Sequence, residues 1–301
     1  MSGKKLLLVA VSAVVIFFAV DFIAYKAMMR GVDNYYGLNQ PSKILLIGHS
    51  HLMLATDKER MERELGVPIS KYCREGVNVT DRLMMVRHFL NSANADSLRY
   101  VLYGVDLATF TGEGLSQNSY TLFYPFMDDP FVKDYIKDQA SPSDYWLHKI
   151  VRTSRFNDDG MKNSVWRGWA DNWDNLKTNV IDIETYKKQL AKGQERHITM
   201  NDTLISQFKE TVDILTDRGI KVILVNTPTL DLLNQFEPEK YNRMVRWYRD
   251  FAAADSLVYY WDFNPTYSGN HQIFADRLHL NARGQQLITT ELIERIREID
   301  K

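Results

Sequence analysis

Two short stretches of this 301-residue chain carry residue types suited to nucleophilic chemistry. Gly48-His49-Ser50-His51 directly follows the apolar run Lys43–Ile47. A serine held by a tight turn after a buried strand stands clear of the backbone and can attack a carbonyl carbon. The plainer reading is a serine that caps the helix after it. Far along the chain stands Phe274-Ala275-Asp276-Arg277-Leu278-His279-Leu280-Asn281, followed by Gly284. A carboxylate three residues before a histidine, on a short turn, can hold imidazole Nδ1–H while Nε2 faces a serine, which is an orienter, a base and a nucleophile in compact form. The plainer alternative is a surface turn with a solvated acid and histidine. His49 and His51, with Asp106, Asp276 and His279, are also metal-ligating types. However, alternate residues on an extended turn point apart, and no second ligand cluster of recognisable spacing exists. One histidine is expected to line the site and the other to pack below it, with no metal and no cofactor.

These residues need a frame. Lys43–Ile47 is a short apolar run bounded by Gly48, the mark of a strand buried on both faces. Strand signals recur at Ile69–Cys73, Tyr100–Val105, Lys221–Asn226 and Leu257–Trp261. Helical stretches lie between them: Thr56–Leu65, Thr80–Asn94, Asp202–Arg218 and Glu237–Ala254, with a last helix over Asn281–Asp300 that Asn281 is placed to cap. Alternating strands and helices predict an α/β, flavodoxin-like three-layer domain with a five-stranded parallel sheet. In such sheets function gathers at the carboxyl ends of the strands, where Ser50, Asp106 and the Asp276–His279 turn all fall.

The alternation stops over residues 107–200. This stretch is rich in aromatics, Asp, Asn and Lys, and includes Trp146, Trp166, Trp169 and Trp173. It reads as a largely helical or irregular insertion, its tryptophans either core or placed to stack on sugar rings or dock a membrane partner. Leu6–Tyr25 is almost wholly apolar and long enough to span a bilayer. With no small-x-small cleavage site after it, it reads as an uncleaved anchor (1–30), N-terminus inside and the bulk outside the cytoplasm, in the periplasm or at the cell surface. Asp21 is expected at the membrane interface. A polar linker (31–42) then leads to one domain (43–301). The single Cys73 rules out an intramolecular disulfide and reads as a small buried hydrophobe. The formal net charge of −1 offers no basic excess for nucleic acid.

The Gly-x-Ser turn after the first strand, paired with a terminal Asp-x-x-His-Leu-Asn-x-x-Gly, resembles the SGNH hydrolases. It is similar in particular to their membrane-anchored branch, the D-alanyl transfer proteins of teichoic acid and the polysaccharide O-acetylation proteins. The likeness covers Lys43–Val105 and Asp202 onward but not the insertion. It implies Ser50 as nucleophile, His279 as base and Asp276 as the residue orienting it. It also implies an oxyanion or substrate-binding set around Gly76 and Asn78, with His49 beside it and Asp106 where the family has asparagine. An ionised carboxylate there would repel an oxyanion. The letters Ser268-Gly269-Asn270-His271 spell the family name by accident.

The resemblance implies an esterase or acyltransferase handling acyl groups, acetyl foremost, on a carbohydrate or cell-envelope polymer, with a membrane O-acyltransferase as a possible partner. The alternative, which Asp106 favours, is a non-catalytic scaffold or glycan binder of the same machinery.

Overall fold

The chain was analysed as a computed structural model that describes residues 2–111, 119–193, 195 and 197–300. In chain order the regular elements are α1 (Gly3–Tyr36), β1 (Ile44–Gly48), α2 (Ser50–Ala55), α3 (Lys58–Leu65), β2 (Ile69–Cys73), α4 (Val79–Leu90) and β3 (Tyr100–Val105). Then follow α5 (Pro130–Gln139), α6 (Pro142–Ile150), α7 (Asp159–Trp169), α8 (Ile183–Leu190), α9 (Asp202–Thr216), β4 (Lys221–Asn226), α10 (Asp231–Asn234), α11 (Pro238–Ala253), β5 (Val258–Asp262), α12 (Asn264–Tyr267) and α13 (Ala282–Ile299). They divide into two units: residues 1–39 with 118–172, and residues 40–117 with 173–301.

The second unit is the α/β domain. Its five strands pair in parallel in the order β2-β1-β3-β4-β5, the flavodoxin-like arrangement, whose direction of winding reverses between β1 and β3. Every residue of β1, β2 and β3 is buried, as expected for strands covered on both faces. Two glycines bring a helix close to the switch point. A Cβ on Gly48 or on Gly104 would lie 3.0 Å from Leu52 Cβ, so Leu52 of α2, itself buried, packs in the space that both leave free.

The strands fall within a residue of their expected bounds, but the first helical stretch divides differently. The chain turns helical at Ser50, runs to Ala55, and restarts at Lys58 behind Asp57, whose carboxylate accepts from Arg60 N. Ser50 is therefore the first residue of a helix. His49 is the residue that caps it.

The first unit differs more from its reading. The stretch 31–42, read as a linker, is helical as far as Tyr36. Packing explains the continuation: Val32, Tyr35 and Tyr36 are buried, and α1 and α7 meet glycine to glycine. A Cβ on Gly168 would fall 1.7 Å from Gly31 O, and one on Gly31 would fall 2.4 Å from Val165 O. Asn34 Nδ2 donates to Gly168 O at 2.5 Å. The helix ends at Gly37, in the left-handed region at φ 71°.

Candidate active site

The terminal motif builds a small scaffold. Asn281 caps α13 by accepting from Arg283 N and Gly284 N, while its amide donates back to Gln272 O at 2.9 Å. Gly284 cannot carry a side chain without moving its neighbours, because a Cβ there would meet Ile273 O at 2.5 Å. Phe274 and Leu280 pair across the turn as an antiparallel bridge, and both are buried. Between them the chain reverses, with Ala275 N donating to His279 O at 2.8 Å. Asp276 Oδ1 accepts from Leu278 N at 2.9 Å and His279 N at 3.0 Å. The acid is thus fixed by its own turn before it meets the imidazole.

On that turn His279 Nδ1 lies 2.8 Å from Asp276 Oδ2. Its Nε2 lies 2.8 Å from Ser50 Oγ, across a sequence gap of 229 residues. The structure brings together all three residues proposed from the sequence as nucleophile, base and orienter. Burial raises the Asp276 carboxyl, but the His279 ring, the Leu278 N–H and the Lys177 ammonium outweigh it and hold the group well below the usual carboxylate range. Asp276 is therefore an anion wherever the chain is folded near neutrality, as an orienter of Nδ1–H must be.

Lys177 belongs to a strip that sequence reasoning assigned only to the insertion. Its Nζ stands 3.2 Å from Asp276 Oδ2 and 3.4 Å from His279 Nδ1. The strip lies along the motif through three further bonds: Ala282 N to Lys177 O, Asn179 Nδ2 to Ala275 O, and Ile181 N to Phe274 O. These pairings join residues about a hundred positions apart, and no local pattern announces them.

Behind Ser50 the histidines behave otherwise than expected. They do not point apart. Because the chain enters a helix between them, both rings turn onto one carboxylate: His49 Nε2 is 2.5 Å and His51 Nδ1 2.8 Å from Asp106 Oδ2. The two rings meet edge to face at 4.3 Å, and His51 meets His279 the same way at 5.3 Å. Asp106 is buried, and its Oδ1 accepts from Ala108 N at 2.7 Å and Thr109 Oγ1 at 3.1 Å. Burial opposes its charge, but the facing His49 and His51 rings outweigh that and hold the carboxyl well below its usual range. Asp106 therefore sits as an anion inside the domain. Its Oδ1 faces its own loop and its Oδ2 faces the two rings, without a hydrogen bond of full geometry at Oδ2. His49 is buried, its Nδ1 accepting from His51 N and its Nε2 turned to Asp106.

The ligand atoms of His49, His51 and Asp106 lie within 4.8 Å of one another, so a metal must be considered. His51 N donates to His49 Nδ1 at 3.1 Å, which puts that ring's remaining proton on Nε2, the atom turned to Asp106. A nitrogen that bears a proton has no lone pair for a metal. Burial pushes His49 down to about 4 despite the carboxylate beside it, consistent with that neutral tautomer. His51 Nδ1 and Asp106 Oδ2 lie 2.8 Å apart, but neither has a hydrogen bond of full geometry. Buried Arg82 adds a cation to this layer, donating to Gly104 O at 2.6 Å; no local pattern announces that α4 turns an arginine inward.

Gly76 and Asn78 lie in the loop after β2, which starts beside the Ser50 turn where Arg74 N donates to Gly48 O at 3.0 Å. Gly76 takes a φ of 77°, a conformation suited to glycine. Asn78 Oδ1 accepts from Asp81 N while Asp81 Oδ2 accepts from Asn78 N, a capping box at the start of α4. That leaves the Asn78 amide hydrogens unused by the cap. Ser50 N, at the first position of α2, is one of the N–H groups a helix start leaves without an intrahelical partner. The accidental Ser268–His271 run has no part here: Ser268 Oγ donates to Asn264 Oδ1, and His271 Nε2 contacts Asp231.

A cavity of about 290 Å³ opens along the residues next to these groups, with walls that include Leu107, Thr111, Leu233, Phe236, Arg277 and Leu278. Leu107 follows Asp106 and Leu278 precedes His279, so the cavity adjoins the site through the backbone of both. Its walls are mixed: beside the apolar side chains stand the Thr111 hydroxyl, which is buried and unpaired, His197, and Arg277, whose Nε donates to Glu195 at 2.9 Å.

No protein-family model matches the chain, and no curated protein matches it. Among solved structures it is similar to a candidate acylhydrolase of Bacteroides fragilis, at 12% identity over 91% of this chain and 97% of that one, TM-score 0.46. It is also similar to the C-terminal catalytic domain of peptidoglycan O-acetyltransferase A from Streptococcus pneumoniae, at 13% identity over 86% and 94%, TM-score 0.38. A third likeness is to a lipase from a goat rumen metagenome, at 12% identity over 83% and 94%, TM-score 0.37.

Proposed function

We propose that this protein is a membrane-anchored serine esterase or acyltransferase acting on short O-acyl groups, acetyl foremost, of a cell-envelope glycan or related polymer. The observation that carries this reading is the line Ser50 Oγ, His279 Nε2, His279 Nδ1, Asp276 Oδ2, with 2.8 Å at each end. In the proposed reaction His279 Nε2 takes the Ser50 proton as Oγ attacks the acyl carbonyl. The alcohol leaves with that proton, and an acyl-serine remains. A sugar hydroxyl or water, deprotonated by the same nitrogen, then releases the acyl group. Asp276 stays ionised throughout and balances the imidazolium. Ser50 N–H is the first donor for the oxyanion, with Gly76 N–H and the Asn78 amide as candidates for the others.

The cavity beside Leu278, lined by both apolar and polar side chains, suits a short acyl chain or one sugar ring, since it lies at the small end of ligand pockets, which run from about 300 Å³ upward. A membrane O-acyltransferase would be a natural source of acyl groups for a site tethered to the same bilayer. One observation favours a second reading, a non-catalytic glycan-binding scaffold: Asp106 supplies no donor where the resembling family has asparagine.

Labelling with a serine-directed fluorophosphonate separates the two. The enzyme reading expects covalent modification at Ser50, abolished by Ser50→Ala and slowed by His279→Ala. Absence of labelling in the folded, full-length protein would establish the scaffold instead. Acylated oligosaccharide, followed by mass, then distinguishes transfer from hydrolysis.

A further inference from the structure

The helix α1 changes character along its length. From Leu6 to Ile23 its large apolar side chains are exposed, about 27 Å of helix at 1.5 Å per residue, against about 30 Å for a bilayer's hydrocarbon. At Asp21 the other face of the same helix becomes buried. Asp21 accepts from Arg152 N at 2.8 Å, Thr153 N at 2.9 Å and Thr153 Oγ1 at 2.6 Å. The end of α6 is therefore bolted to α1 at the level where the lipid-facing stretch stops.

The α6 face near that level is apolar and uncovered. Trp146 is 55%, Leu147 47% and Ile150 52% exposed, positions that share one side of a helix, while Tyr145 and His148 face inward. Cations surround it. Arg152 lies over the Phe22 and Tyr25 rings at 5.1 and 5.4 Å, Lys26 over Phe22 at 5.6 Å, and Lys149 over Trp146 at 5.8 Å. The nearby acids are engaged: Asp21 by the bonds above, Asp128 by Arg155 at 3.0 and 3.2 Å, and Asp144 by the Ser141 cap. Aromatic rings and cations around the exit of an apolar helix are the composition of a membrane interface.

We infer that Trp146, Leu147 and Ile150 of α6, with Lys26, Lys149 and Arg152 around them, form a collar that enters the headgroup layer of an anionic bilayer where α1 leaves it. The inference rests on α1 being a membrane anchor, as the proposed function has it. The ligand is a lipid surface. Its phosphates meet the three cations, and its upper acyl region receives the indole and the two aliphatic side chains.

The test uses full-length protein in vesicles containing phosphatidylglycerol. Cys73 is buried, so a single introduced cysteine carries the fluorophore. Three sites are compared: Val11→Cys in the apolar stretch, Ile150→Cys on the collar, and Lys162→Cys on exposed α7 surface. Nitroxides attached to lipids near the headgroup should quench the label at 150 and leave that at 162 unchanged, while deep nitroxides quench the label at 11. Replacing Lys149 and Arg152 by Gln should weaken quenching at 150. Quenching at 11 but none at 150 would overturn the collar alone and leave the face to a protein partner. No quenching at 11 would overturn the anchor and the collar with it. Unchanged quenching at 150 after the Gln replacements would overturn the part played by the cations.

Discussion

Lys177 places its ammonium 3.2 Å from the Asp276 carboxylate and 3.4 Å from His279 Nδ1, so the carboxylate that meets the His279 ring is itself held from a second side. Asp276 already accepts two N–H groups and the imidazole, and its pair with Lys177 is more than a third exposed. A pair of that exposure is worth at most about 1 kcal/mol. Lys177→Met should therefore cost roughly fivefold or less in turnover, while Asp276→Asn, which upsets the tautomer of His279, should cost on the order of 10³–10⁴-fold. Steady-state rates on a chromogenic ester give both numbers, and equal losses would contradict this division of roles.

Ser50→Ala should remove at least about 10⁴-fold of the ester turnover and leave thermal stability nearly unchanged. The lost hydroxyl bonds His279 from the partly exposed side of α2. Calorimetry alongside the assay checks both halves. A large drop in melting temperature would make Ser50 a structural residue.

Asp106→Asn should destabilise the protein and should not activate it. The amide would turn N–H groups toward either the rings of His49 and His51 or the N–H of Ala108. A buried mismatch of that kind costs about 1–3 kcal/mol or more. The pH dependence has a definite sign. The Asp106 carboxyl is depressed in the folded state, so its stabilisation is fully present above the unfolded value near ~3.9 and is lost as pH falls through the lower folded value. The stability gap between the two proteins should hold from neutrality to about pH 4 and close only below it. Urea titrations across that range would show it, and a gap that closes near neutrality would place the charge elsewhere.

Gly284→Ala should act on chemistry through packing. Its Cβ would meet Ile273 O at 2.5 Å, and Ile273 opens the strip that carries the Asp276–His279 turn. Overpacking of this kind costs roughly 1–3 kcal/mol, and the displaced turn should slow fluorophosphonate labelling of Ser50 well beyond what the stability loss explains. An unchanged labelling rate would mean that the turn is positioned without the glycine.

The sheet was legible in the sequence because four of its strands are short, largely apolar runs, a local signal that burial on both faces requires, while β2 carries Ser70 and Lys71 between apolar ends. The terminal motif was legible for a related reason. Its residues act on one another within a dozen positions, so their spacing is their geometry. What escaped was non-local or depended on one backbone turn. His49 and His51 converge because the chain becomes helical at Ser50, which reverses the alternation expected of an extended turn. Lys177 and Asn179 reach the motif from about a hundred residues away. The extra helical turns from Gly31 to Tyr36 exist because α7 offers Gly168 to receive them, and a polar composition hid that fit.

The dual nature of α1 bears on how this protein can be handled. A water-soluble form is ordinarily sought by cutting away a span together with the tether that follows it. Here there is no tether to cut. A chain beginning near residue 40 would leave 118–172 without Tyr25, Val32, Tyr35 and Tyr36, all buried in the whole protein, and burying such side chains stabilises by about 1.5–3 kcal/mol each. The apolar surfaces of α7 and its neighbours would then face water and aggregate. A cut just before Asp21 removes most of the exposed apolar residues of α1 and keeps the half of the helix that the fold needs.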